Sequence, residues 1–155
     1  SAGEMGEIRI KGPHMMTKYE GNSEETALTI KNGFIYTGDI GLLDNEGFIR
    51  ITDRKKDVIF VKGFNVFPRE VEEELLSHSA ISGACVVGKQ DGRSGETPIA
   101  FVTLRNLIEV SEIKDYCDKT LLPYKVPSEF IILEQLPLTP AKKVDRAALI
   151  SKLST

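Results

Sequence analysis

The stretch Asp53 to Glu72, DRKKDVIFVKGFNVFPREVE, decides how the chain divides. Its first five residues, Asp53 to Asp57, are all charged, and no core absorbs such a run, so they read as a solvated linker. Behind them Val58 to Val61 is a buried-strand candidate that Gly63 closes. Pro68 then opens a helix, because proline at the first helical position gives up only a donor that has no partner there. On that helix Val71, Leu75 and Leu76 take one face and glutamates the other. A linker with differently patterned sequence on its two sides is a domain boundary.

Upstream, Glu7 to Lys11 (EIRIK) alternates as a half-buried strand does, and Gly12 and Pro13 end it. A short helix is expected around Glu24 to Leu28. Asn32 and Gly33 form a tight-turn signal before FIYTGDIGLL, and Asp44 to Gly47 (DNEG) form a second turn before FIRIT, giving a β-meander up to Thr52. DNEG lacks the later ligands of a calcium loop and reads as a turn. Downstream, Ile81 to Val87 and Ile99 to Leu104 are β-rich runs joined by the polar loop GKQDGRSGE. A helix capped by Ser111 sets Ile113, Tyr116, Cys117 and Leu121 on one stripe, and Phe130 to Leu133 reads as a strand. The expected fold class is α+β: a compact lobe of a β-hairpin plus a three-stranded sheet with helices, preceded by the meander.

Leu136 to Arg146, LPLTPAKKVDR, is built to present charge. Pro137 and Pro140 fix φ and remove backbone donors, which excludes a helix interior or a central strand and leaves a stiffened loop. Asp145 caps a following amphipathic segment whose Ala148, Leu149, Ile150 and Leu153 pin the loop's far end. Lys142 and Lys143 are therefore held on a bounded loop.

Composition narrows the function. The 155 residues are 41% apolar, and 20 basic against 23 acidic residues give a formal charge of −3, so bulk electrostatics do not point to nucleic acid or an anionic membrane. Cys85 and Cys117 have no CxxC partner and read as buried thiols of a reducing compartment. No apolar run approaches ~20 residues, and the opening SAGEMGE lacks the regions of a signal peptide, so a cytoplasmic protein is expected. The absence of an initiator Met and the abrupt start suggest a fragment of a longer chain. His14 and His78 lack a second ligand at metal spacing, so no metal site is expected on their account.

In YTGD, Tyr36 to Asp39, the carboxylate of Asp39 at a strand end is suited to paired hydroxyls such as those of a ribose. With DRKKDVIFVKGFNVFPREVE and LPLTPAKKVDR in this order, and GEIRIKG and LLPYKVPSEF around them, the chain closely resembles the C-terminal part of the adenylate-forming enzymes. These are the acyl-CoA synthetases, firefly-type luciferases and peptide-synthetase adenylation domains. The resemblance implies residues 1–52 as the end of a large AMP-binding domain missing here, 53–57 as a hinge linker and 58–155 as the small C-terminal domain.

It also implies roles. Tyr36, Asp39 and Arg54 would bind nucleotide, Lys56 would be the hinge, and Lys143 the adenylation lysine, with Lys142 as the fallback. A cation between carboxylate and α-phosphate offsets their repulsion and the charge developing as they react. The family usually has glycine where Lys142 stands; glycine permits positive φ there, which lysine enters at a cost. Lys62, Gly63, Phe64 and Asn65 would line the route to CoA, and Arg93 would reach a CoA phosphate. The implied activity is an AMP-forming acid:CoA ligase using ATP, CoA, a carboxylic or fatty acid and Mg2+ carried by the triphosphate. The fragment is expected to be inert alone, with exposed edge strands able to pair between chains. The alternatives are an adenylation domain loading a carrier protein's phosphopantetheine, and a non-catalytic interaction domain retaining the fold.

Overall fold

A computed structural model describes residues 3–92 and 95–153. The chain falls into two compact units, the first ending at Lys56 and the second beginning at Asp57.

The first unit contains β1 (Met5–Ile10), α1 (Ser23–Thr29), β2 (Ile30–Lys31), β3 (Phe34–Leu43) and β4 (Ile49–Arg54). β3 is central. β1 pairs along one edge of it, while β2 takes the start and β4 the end of the other, all antiparallel. Asn32 (φ 53°) and Gly33 (φ 75°) make the two-residue turn that their identities predict, both in the left-handed region that a tight hairpin requires. Asn22 caps α1 by accepting the Glu25 N–H. DNEG is a turn: Asp44 Oδ1 accepts the N–H groups of Glu46 and Phe48, each at 2.9 Å. The charged run is not wholly solvated, which corrects the sequence reading. β4 extends through Asp53 and Arg54, and Asp53, only 7% exposed, accepts the Arg54 N–H at 2.7 Å.

The second unit runs β5 (Ile59–Val61), β6 (Phe64–Val66), α2 (Pro68–Ser77), β7 (Ile81–Asp91), β8 (Gly95–Leu104), α3 (Val110–Thr120), β9 (Glu129–Ile132) and α4 (Arg146–Lys152). Its fold is α+β. The sheet order is β6-β5-β8-β7, with β9 parallel to β8; the small hairpin joins the larger sheet through Val61 and Gly95. Strand alternation builds two cores. Val86, Ala100 and Val102 point toward Val71 and Leu75 of α2 and Ile113 and Cys117 of α3. Cys85, Val87, Ile99 and Phe101 point the other way, toward Leu149 of α4.

Four local expectations are corrected. The β7–β8 strands run on through the polar stretch to Asp91 and resume at Gly95, so the connecting loop is short. The α3 cap is Glu109, in a reciprocal capping box with Glu112, instead of Ser111. Leu76 is exposed because the buried face of α2 follows Pro68, Val71 and Leu75. On α4, Ile150 is exposed while Leu149 is buried.

Candidate functional site

In the first unit, the site is a bulge. Tyr36 pairs with Arg9 and Ile40 with Glu7, so β3 places Thr37, Gly38 and Asp39 opposite the single residue Ile8 of β1. Gly38 takes φ 73°, and the Thr37 hydroxyl ties the bulge down by donating to the Ile8 C=O (2.9 Å) and accepting the Asp39 N–H (3.1 Å). Asp39 is thereby set against Arg54, its cross-strand partner, with Arg54 Nη1 donating to Asp39 Oδ1 at 2.7 Å. The sequence-predicted pair Asp39 and Arg54 is brought together. Tyr36 lies on the same strand, half-buried, and Lys56 is exposed in the 3-10 turn Lys55–Asp57.

In the second unit, Lys62 (φ 50°) and Gly63 (φ 86°) form the turn between β5 and β6. Lys62, Gly63, Phe64 and Asn65 are all exposed at its tip. Arg93 lies outside the described residues.

Lys143 sits on a second hairpin. Leu138 and Val144 form an antiparallel bridge, Thr139 N–H donates to the Lys143 C=O (2.7 Å), and Lys142 N–H donates to the Thr139 C=O (2.8 Å). Lys142 has φ 58°. This is a three-residue loop, Pro140 to Lys142, ending in a left-handed residue, the position where glycine is normally placed. The chain contains its own control in DNEG. There Asp44 N–H donates to the Phe48 C=O (2.9 Å), Gly47 N–H donates to the Asp44 C=O (3.2 Å), and the left-handed residue is Gly47 at φ 88°. The first residue's side chain also accepts the closing N–H in both: Thr139 Oγ1 from Lys143 at 3.3 Å, Asp44 Oδ1 from Phe48. Lys142 and Lys143 are both exposed.

The far end of this hairpin is anchored in a polar cluster. Asp145 accepts the Ala148 N–H at 3.0 Å and caps α4. Arg146 Nη1 donates to the Val86 C=O at 2.6 Å, Nη2 to Glu72 Oε1 at 2.7 Å, and Nε lies 3.9 Å from Asp57 Oδ2. Burial pulls the Arg146 pKa down, but the charge and hydrogen bond of Glu72 with the charges of Cys85 and Asp57 together outweigh it and hold the guanidinium above its ordinary value. Burial pushes the nearby Cys85 thiol up to about 12. Glu72 and Asp53 are the polar residues that sequence reading missed. A glutamate at the edge of a helix's apolar face was the available signal for Glu72.

Among the described residues no three His, Cys, Asp or Glu side chains are grouped to hold a metal ion. His78 accepts the Ala80 N–H and packs edge-on to Tyr116. None of the described helices is long and apolar enough to cross a membrane.

Residues 70–143 match the family described as AMP-binding enzyme C-terminal domain. Among curated proteins, the chain is 40% identical over 146 residues to 2-succinylbenzoate–CoA ligase of Bacillus subtilis, covering 94% of this chain and 30% of the relative. It is 42% identical over 151 residues to long-chain-fatty-acid–CoA ligase of the same organism, covering 96% and 27%. Among solved structures, o-succinylbenzoate CoA synthetase from Bacillus subtilis, in complex with its acyl-adenylate intermediate, aligns with a TM-score of 0.89 and 38% identity, over 100% of this chain and 31% of that one. The amide bond synthetase McbA from Marinactinospora thermotolerans aligns with a TM-score of 0.88 and 31% identity, over 99% and 31%. The chain thus spans about 30% of the length of the curated relatives it matches.

Proposed function

Because residues 70–143 match the AMP-binding enzyme C-terminal domain family, we propose that this chain serves an AMP-forming acid:CoA ligase. A carboxylate attacks the α-phosphorus of ATP, pyrophosphate leaves, and the acyl adenylate forms. The CoA thiolate then attacks the acyl carbon and AMP departs. The observation that carries this reading is similarity over the whole chain to a synthetase solved with its acyl adenylate.

In this reading the Asp39 carboxylate accepts hydrogen bonds from the ribose hydroxyls, with Arg54 orienting it and meeting the phosphate region, and Tyr36 lies beside them. Lys143 supplies the cation between carboxylate and α-phosphate, an electrostatic task that needs no proton transfer. The stiff hairpin limits the reorganisation needed to place that charge. Lys56 is the pivot of the small domain, residues 53–57 the linker, and residues 1–52 part of a large nucleotide-binding domain. Lys62, Gly63, Phe64 and Asn65, together with Arg93, serve the CoA half-reaction. Mg2+ accompanies the triphosphate. A cytoplasmic site of action fits two buried free thiols.

The acceptor is the open choice. The likeness to an amide bond synthetase favours a second reading, in which the adenylate passes to an amine instead of a thiol. The test is Lys143→Ala in the ligase that carries this chain. Loss of such a charge costs about 10²- to 10³-fold in adenylate formation, while thioester formation from supplied adenylate survives. A change of only a few-fold in adenylation would sink the assignment. Supplying CoA, a phosphopantetheinylated carrier and simple amines to the wild-type enzyme identifies the acceptor.

A further inference from the structure

We propose that Tyr124, in the stretch LLPYKVP, is a positioning residue whose ring holds the Lys62–Asn65 turn in the attitude that thioester formation needs. This rests on the reading that the turn serves the CoA half-reaction.

The turn is poorly fixed by its own hairpin. β5 and β6 are three residues each, and so short a two-stranded ribbon is marginal by itself. Ile59, Val61 and Val66 bury the base of the hairpin, but every residue from Lys62 to Asn65 is exposed, so burial does not aim the tip. β6 is the sheet's edge, and β5 joins β8 through one residue pair, Val61 with Gly95, supported by the Phe60 N–H donating to Glu96 Oε2 at 2.8 Å.

The contact that reaches the tip is aromatic. The Phe64 and Tyr124 rings stack with centroids 4.6 Å apart and planes 19° apart, although Phe64 is 54% exposed. An offset stack of this kind is directional as well as adhesive. Tyr124 is itself well rooted. With Leu121 and Val126 it packs against the core beneath α2 and α3. The Lys125 N–H donates to the Leu122 C=O at 2.8 Å, and Lys125 Nζ reaches Glu70 of α2 at 2.5 Å. The stack therefore couples a fixed segment to the exposed tip of the turn. Lys62 and Tyr124 also line a common open cleft of ≈ 380 Å³ with Thr97, Pro98 and Val126.

The experiment separates the half-reactions in the ligase that carries this chain. Tyr124→Phe keeps the ring and should match wild type in both. Tyr124→Leu keeps apolar bulk against the core but loses the stacking face. It should slow thioester formation from supplied acyl adenylate about 10-fold while adenylate formation stays within about two-fold, as a displaced positioning element does. Amide exchange at Lys62–Asn65 should quicken about 3- to 10-fold, with β7 and β8 unchanged. Phe64→Leu removes the other ring of the stack and should quicken exchange at the tip by a similar factor, and in that readout the double variant should be no worse than either single one. Equal slowing of both half-reactions, or unchanged exchange at the tip, overturns the proposal. Gly63→Val distorts the turn directly. A wild-type thioester rate in Gly63→Val sinks the reading of the turn itself, whereas a slowed Gly63→Val beside an unaffected Tyr124→Leu sinks only the part given to Tyr124.

Discussion

Arg146 and Glu72, 74 positions apart, close a fork: Arg146 Nη2 donates to Glu72 Oε1 at 2.7 Å, and that oxygen also accepts the Val86 N–H at 2.7 Å. The other guanidinium nitrogen, Nη1, takes the Val86 C=O. Two side chains thus tie the residue three places after Lys143 to α2 and β7.

Removing Arg146 takes its countercharge from the half-buried Glu72 carboxylate and a donor from the Val86 C=O. Arg146→Ala should therefore destabilise the chain by about 2 to 4 kcal/mol in urea unfolding, since the pair is shielded but not fully dry. Arg146→Lys should recover only part of this, because an ammonium cannot span both acceptors as a planar fork does. The double variant with Glu72→Ala should cost less than the two single losses added. A loss below about 1 kcal/mol for Arg146→Ala would mean that the fork does not hold the hairpin's far end.

The two equivalent hairpins make a sharper comparison. Gly47 and Lys142 occupy the same left-handed position, at φ 88° and 58°, yet only glycine enters it without steric cost. Lys142→Gly should stabilise the chain by about 0.5 to 1 kcal/mol, less than the full left-handed penalty because glycine also loosens the unfolded chain. Gly47→Lys should shift its own unit in the opposite direction. Urea midpoints at constant slope decide it, and a destabilised Lys142→Gly would show that the lysine side chain makes a compensating contact.

How much of this was legible depended on whether a residue's environment is local. The Asn32-Gly33 turn, the Pro68 helix start and the Asp145 cap are decided by neighbours within a few positions, and each stands where the sequence puts it. The left-handed Lys142 was legible as a departure from glycine. Asp53 and Glu72 were not legible, because burial of a carboxylate depends on partners that only the fold assembles. Tyr124 was visible as part of a motif, but its stack on Phe64 joins segments 60 positions apart in the sequence. The exposed Leu76 and Ile150 show the same limit: adjacent apolar residues compete for one narrow buried stripe, and periodicity alone does not choose between them.

The thiols give a prediction in which the sign matters. Burial raises Cys85 from 9.0 to about 12 and Cys117 from 9.0 to about 11. In the native state both therefore hold their protons where the unfolded chain has released them. This stability is fully present below pH 9 and is lost as pH rises toward 11 and 12, on the order of 1 kcal/mol per pH unit and thiol. At neutral pH neither thiol should react with a disulfide reagent until denaturant is added, and both should then react. A fast-reacting thiol in the native chain would contradict the packing described.

The last prediction concerns the unequal cores. Every buried hydrophobic side chain among the described residues lies between Ile59 and Leu149, whereas in the first unit Ile10, Leu43, Phe48, Ile49 and Ile51 are exposed. Burial of apolar area is the main favourable term in folding, so a sheet that fully buries none of its large side chains has little to offset chain entropy. In the 155-residue chain, the first unit should open with a much smaller free energy than the second. Limited proteolysis should cut before Asp57 first and leave a resistant product beginning near that residue. Hydrogen exchange should show β7, β8 and α2 protected to the global limit, and β1 to β4 exchanging well before them. In the longer ligase proposed above, β1 to β4 should gain protection while β7 and β8 stay unaltered. If a monomeric chain protected β3 as strongly as β8, the first unit would have to be stable without a core, and its exposed apolar residues could not be read as a surface awaiting cover.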